Sequence, residues 1–217
     1  MMKLVKQDLQ NIDHWLEKKG IKYLDVRYEL MDHLINEYES LDNYPDLNSF
    51  LKERLPWCKK VAKEKQKSIH WAYQKEVWKQ FLNLFLSIKT LVLISFAILG
   101  YYVLYLFFEE ELTYKGILIG SLFAVSAFQF YKMIFFGISL KKRKQLLSSI
   151  HLMQVFSFPN LFVYCVGILQ LDAFDNLYFF NGYIGIAILS NIAALIAFEK
   201  GRKAILKEYK FLKVYLA

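Results

Sequence analysis

Four long apolar runs after residue 80 constrain this chain more than any other feature in it. A bilayer core of about 30 Å takes roughly 20 helical residues. The first run covers 90–108, the second 116–140, the third 152–171 with Pro159 inside it, and the fourth 177–198. None alternates apolar and polar residues as a half-buried strand does. Four buried helices of this length in about 120 residues exceed a plausible soluble core, so the runs predict four transmembrane spans. Composition agrees, with 56% apolar and 18% aromatic residues where a soluble domain carries about 45–50% apolar. Nine Gly and three Pro are too few for the turns of a many-stranded β protein. The expected fold class is all-α: a four-helix transmembrane bundle behind a small N-terminal cytoplasmic helical domain.

The loops orient the spans, because Lys and Arg in short loops stay on the cytoplasmic side. Spans 1 and 2 are joined by Glu109, Glu110 and Glu111 with a single Lys115, and spans 3 and 4 by Asp172 and Asp175. Spans 2 and 3 are joined by Lys141, Lys142, Arg143 and Lys144 with no acid. After span 4 comes a basic tail, 199–217, opened by Glu199-Lys200-Gly201-Arg202, which is expected to stop the helix. This alternation predicts both termini inside, in a multi-pass protein of the bacterial inner (cytoplasmic) membrane. The first residues carry Lys, Asp and Gln rather than the apolar stretch of a secretory signal.

Within the spans, Lys89 and Lys132 are near enough to the inner interface to snorkel. Gly116 and Gly120 form a small-xxx-small pair of the kind that lets helices approach closely. Pro159 and Asn160 in span 3, with Asn181 and Asn191 in span 4, are the polar and helix-breaking features of the bundle. They predict a proline kink supported by a neighbouring amide, or else a polar site between spans 3 and 4. Cys58 and Cys165 are too few for a disulfide framework and are expected to be reduced structural thiols.

The segment before the spans divides by charge. Up to Leu55 there are 8 basic and 11 acidic residues; from Pro56 to Gln80 there are 7 basic and 2 acidic. Residues 1–56 form the expected helical head. Leu4 or Val5, Leu9, Ile12 and Leu16 make one helical stripe, ended at Gly20. Val26, Leu30, Leu34 and Leu41 make a second. After a turn at Asn43-Tyr44-Pro45, Leu47, Phe50, Leu51 and Leu55 make a short third helix stopped by Pro56. Residues 57–80 form a basic juxtamembrane helix. There Lys59, Lys60 and Lys63, with Trp71 and Trp78, predict contact with anionic lipid headgroups, as do Lys141–Lys144. The positive charge lies beside the membrane rather than on the head, which argues against nucleic acid. With no Pro or Gly between Trp57 and Leu99, one unbroken helix is expected to lead from head to membrane.

Glu29, His33 and Glu37 recur at one-turn spacing on a single helix face, with Asp32 beside them. Carboxylate and imidazole at this spacing make half of a metal site. A solvated, ion-paired face is the expectation, so no metal and no cofactor is assigned. No zinc motif, phosphate-cradling glycine loop or nucleophile–base arrangement occurs, so no catalytic residue is named and no enzyme is expected. Tyr28-Glu29-Leu30-Met31-Asp32-His33-Leu34 followed by Glu37, then Trp71 and Glu76-Val77-Trp78-Lys79 ahead of the first span, resembles an uncharacterised four-span membrane protein family. That family belongs to flavobacteria and their relatives and carries an E-L-x-D-H helical prefix; similar prefixes precede permease-like segments. The resemblance implies the four-span architecture and a part for Glu29, Asp32 and His33 in folding the head. The functional expectation is a non-enzymatic interaction or regulatory module, with residues 1–56 binding a protein partner or a second copy. The alternative is a small transporter or transporter subunit.

Overall fold

The computed structural model describes residues 6–41, 46–108, 111–140, 146–168 and 172–216. Among them every regular element is helical. The order is α1 (Lys6–Lys18), α2 (Leu24–Glu39), α3 (Leu47–Leu86), α4 (Ile88–Phe107), α5 (Glu111–Leu140) and α6 (Leu147–Met153), then a 3-10 turn (Gln154–Phe156), α7 (Ser157–Ile168), a second 3-10 turn (Asp172–Asp175) and α8 (Leu177–Leu216). Four segments are long and apolar enough to cross a membrane: Ile88–Phe107, Thr113–Gly137, Leu147–Val166 and Leu177–Lys210. Leu4, Val5, the Asn43–Pro45 turn and the Lys141–Lys144 loop lie outside the described residues, as do Glu109 and Glu110.

The chain divides into two compact units, one of Met1–Trp71 with Ser139–His151, the other of Ala72–Ile138 with Leu152–Ala217. The first is therefore larger than the expected 1–56 head. Its core joins Ile12 and Leu16 of α1, Val26, Leu30 and Leu34 of α2, and Phe50, Leu51 and Cys58 of α3 to Leu147, which is 0% exposed. The turn between α1 and α2 uses Gly20 at φ 93°, a conformation that Gly adopts without the strain a Cβ would bring.

Pro56 does not stop the third helix. It lies inside α3, where a proline forfeits one backbone hydrogen bond at about 3 kcal/mol. Phe50 and Leu51 before it and Cys58 after it are all buried in one core, and that shared burial holds the helix through the proline. The expected unbroken helix from Trp57 to Leu99 is interrupted instead at Ser87, whose backbone is extended (φ −94°, ψ 121°). The Ser87 carbonyl accepts from the Leu91 N–H and the Thr90 hydroxyl, both at 2.9 Å, so the break opens α4 as a new helix.

In the second unit, Tyr114, Leu118 and Leu122 of α5, Val163 of α7, and Phe180, Ile184 and Ala187 of α8 share a core. α4 buries none of its side chains, and Leu93 and Phe96 are each 67% exposed. A helix that is apolar all round and unburied has found its solvent in lipid. Gly116 and Gly120 have no neighbouring helix within 4 Å of where a Cβ would sit among the described residues. Close approach occurs at Gly201: a Cβ there would collide with Leu152 Cδ1 and lie 3.1 Å from Tyr73 Cε1. Nor does Glu199-Lys200-Gly201-Arg202 end the helix; α8 continues through it. Its charges are matched, with Lys132 Nζ 3.0 Å and Arg202 Nη2 2.7 Å from Glu199, and Lys200 Nζ 3.6 Å from Glu76.

Candidate functional site

The polar face of α2 turns out to be a seam with α3. Glu29 pairs with Lys65 at 2.7 Å and Glu37 pairs with Arg54. Between them the His33 ring meets Trp57 edge-on, centroids 6.0 Å apart. Asp32 and His33 are exposed. Among the described residues no three His, Cys, Asp or Glu side chains converge as a metal-ligand set.

The strongest polar constellation in this unit lies one turn away. Arg27 is 1% exposed, donates from Nε to Asp13 at 2.6 Å, and reaches Glu17 at 3.3 Å. Its Nη1 also donates to the carbonyls of Lys22 at 3.0 Å and Ile21 at 3.4 Å. One guanidinium thus ties the end of α1, the turn and the start of α2, a use of its planar fork that lysine lacks. Asp25 is the second unforeseen residue. Its carboxylate accepts from the backbone N–H of Leu147 at 3.0 Å and Ser148 at 3.2 Å, capping α6 where the first amides of a helix have no intrahelical partner. Burial pushes the Cys58 thiol from its ordinary 9.0 up to about 11, with the Glu37 charge adding to the rise and a backbone hydrogen bond opposing it.

The expected polar site between spans 3 and 4 separates into two. Asn191, fully buried, donates to the carbonyls of Ala187 at 2.7 Å and Pro159 at 3.3 Å. It also accepts from Gln129 Nε2 at 2.7 Å. Here the Asn191 amide reaches the Pro159 carbonyl, with Gln129 of α5 as a further partner. Gln129 Oε1 and Asn160 Oδ1 are buried with no partner among the described residues. Interhelical amide pairs of this kind hold membrane helices together by about 1 kcal/mol each.

Asn181 belongs elsewhere. Its Oδ1 accepts from the Tyr114 hydroxyl at 3.2 Å, and both line a cavity of about 370 Å³ between α4, α5 and α8. Tyr101, Tyr102, Tyr105 and Tyr178 complete the aromatic part of the wall. Tyr105 meets Tyr114 edge-on at 5.2 Å, and Tyr101 donates to Ser121 at 3.0 Å. The Asn181 amide NH2 and the hydroxyls of Tyr102 and Tyr105 have no protein partner among the described residues. The volume falls in the range of small-molecule sites, which are mainly apolar walls with a few placed polar groups. Tyr101 and Tyr105, one helical turn apart, were the sequence signal for this wall, and the lone Gln129 in span 2 was the signal for the Asn191 cluster.

Lys59, Lys60 and Lys63 are exposed along α3, as are Trp71 and Trp78, the latter packed at 5.1 Å on Phe158. Lys141, Lys142, Arg143 and Lys144 lie outside the described residues. The helices define a class, a multi-pass α-helical membrane protein. Comparison with protein-family models, with curated proteins and with solved structures finds no match.

Proposed function

We propose that this membrane protein is a non-enzymatic binding module whose ligand site is the tyrosine-lined cavity between α4, α5 and α8. The observation that carries the reading is the pairing of about 370 Å³ of aromatic-walled space with hydrogen-bonding groups left over at Asn181, Tyr102 and Tyr105. Such a wall suits a small amphipathic molecule with a planar or apolar body and one or two hydrogen-bond acceptors. Binding is favoured over transport because the other polar cluster, Gln129–Asn191–Pro159, is packed shut. The basic loop at Lys141–Lys144 and the acidic ones on either side support an inner-membrane topology with both termini cytoplasmic. Lys59, Lys60, Lys63, Trp71 and Trp78 then meet anionic headgroups.

Native mass spectrometry of protein extracted in mild detergent tests the site. Wild type is expected to retain a small amphipathic molecule that the Asn181→Leu/Tyr105→Ala variant loses; equal retention in both, or none in either, refutes it. For the topology, cysteine placed at Glu110 should react with an impermeant thiol reagent in whole cells and cysteine at Arg143 should not.

A second reading, the first unit as a docking module for a protein partner or a second copy, is favoured by one observation. Asp32, His33 and Trp57 are exposed together, with Trp57 38% accessible. Affinity purification from solubilised membranes should recover a partner with wild type and not with Trp57→Ala. Recovery of the bare protein under several mild detergents counts against it.

A further inference from the structure

The first unit holds a concavity of its own, a cleft of about 250 Å³ between the α1–α2 turn and α3. Lys19, Lys22 and Tyr23 line it from the turn, and Lys59, Lys63 and Gln66 from α3. Four lysines around one small cleft concentrate positive charge there, which favours an anion among them. The neighbouring acids do not supply that charge. Asp13 and Glu17 are taken by Arg27, Glu29 by Lys65 and Glu37 by Arg54. Asp25 faces the backbone amides of Val26, Leu147 and Ser148 and forms no ion pair among the described residues. The four lysines have no acidic partner among the described residues.

We propose that this cleft binds a phosphate-bearing anion, held by Lys19 and Lys22 from one side and Lys59 and Lys63 from the other. Phosphate suits the lining because it carries multiple negative charge and several acceptor oxygens, which point-charge lysines on flexible stems can surround. Gln66 and the Tyr23 hydroxyl add neutral polar groups for the remainder of the ligand. Two sources supply that chemistry, an anionic lipid headgroup and a soluble phosphorylated compound. The cleft is independent of the tyrosine cavity. It shares Lys59 and Lys63 with the headgroup stripe proposed above, whereas Lys60 belongs to the stripe and does not line the cleft.

The test uses full-length protein, in phosphatidylcholine nanodiscs for the first arm and in mild detergent for the second. One arm titrates soluble pyrophosphate by calorimetry; the other counts phosphatidylglycerol molecules retained by detergent-solubilised protein in native mass spectra. Lys22→Gln/Lys63→Gln is compared with Lys60→Gln/Lys67→Gln, which removes the same charge outside the cleft. At about fivefold per lysine, the cleft variant should bind at least ~20-fold more weakly and the control within about threefold of wild type. Binding of pyrophosphate by wild type identifies a soluble phosphate compound, and retention of phosphatidylglycerol alone identifies a headgroup. Equal losses in both variants would mean a diffuse basic stripe and overturn the cleft while leaving the headgroup contact standing. Absence of binding in both arms overturns the cleft as well.

Discussion

Replacing Arg27 by Ala removes two ion pairs, two carbonyl contacts and the volume of the largest of the fully buried side chains in the first unit. Breaking a fully buried ion pair from one side costs about 3–5 kcal/mol. Asp13 keeps 20% of its side chain in water and Glu17 53%, so that part belongs at the low end or below it. Each carbonyl left without its donor adds up to about 1 kcal/mol. A total of about 3 kcal/mol is a large share of the roughly 4–12 kcal/mol that a unit of this size commands. It raises the unfolded fraction of the unit roughly 100-fold. Pulse proteolysis of the full-length protein in detergent, across a urea series, reads that fraction from cleavage within the first 71 residues. Arg27→Met/Asp13→Leu, which removes both charges, should recover most of the loss, because apolar replacement of a buried pair is often neutral. A change under threefold in Arg27→Ala, or a double variant no better than the single one, would refute the assignment of Arg27 as the tie between α1, the turn and α2.

Asp25→Ala should cost about 0.5–2 kcal/mol, the usual worth of a helix cap; faster hydrogen exchange at the Leu147 and Ser148 amides is the check, and unchanged exchange would count against it. The Cys58 thiol, raised to about 11 in the fold from 9.0, favours the neutral form there. Its contribution to stability is complete below pH 9 and is lost as pH rises from 9 through 11. The urea midpoint should therefore fall across that window in wild type and fall less in Cys58→Ala, while a maleimide at neutral pH labels Cys58 only after unfolding. Asn191→Leu should lower stability by about 1–2 kcal/mol, because Gln129 is left buried without its amide partner. Thermal melting in detergent checks it, and an unchanged midpoint would show that the amide pair is idle.

The spans were legible because a bilayer leaves a 20-residue apolar run little choice but helix, and the head's stripes because helical period is written locally. What the sequence could not show were features decided by residues far along the chain. Pro56 should end a helix by local rules, yet a core on both sides of it carries α3 through. Gly201 amid charges reads as a stop, yet Leu152 and Tyr73 need the missing side chain to pack close. The i, i+4 spacing of Glu29, His33 and Glu37 identified one face but not its partners Lys65, Trp57 and Arg54. Asn181 and Asn191 share a helix, but ten residues amount to about 15 Å of rise, so they belong to different neighbourhoods. Asp25 had no local signature, since its amide partners lie 122 residues away.

That last distance sets an order of events in synthesis. The N-terminal unit lacks both a core side chain and the amides that Asp25 receives until Leu147 leaves the ribosome. After Trp71, roughly 75 further residues must be made, which takes about 4–15 s at ordinary elongation rates. Through that interval two apolar spans enter the membrane while the nascent unit waits with a gap where Leu147 will lie. A fragment ending near Trp71 is frozen at this stage, and cellular quality control would meet it as an unfinished domain. Insertion of the first two spans is in this way a folding step for the segment that precedes them.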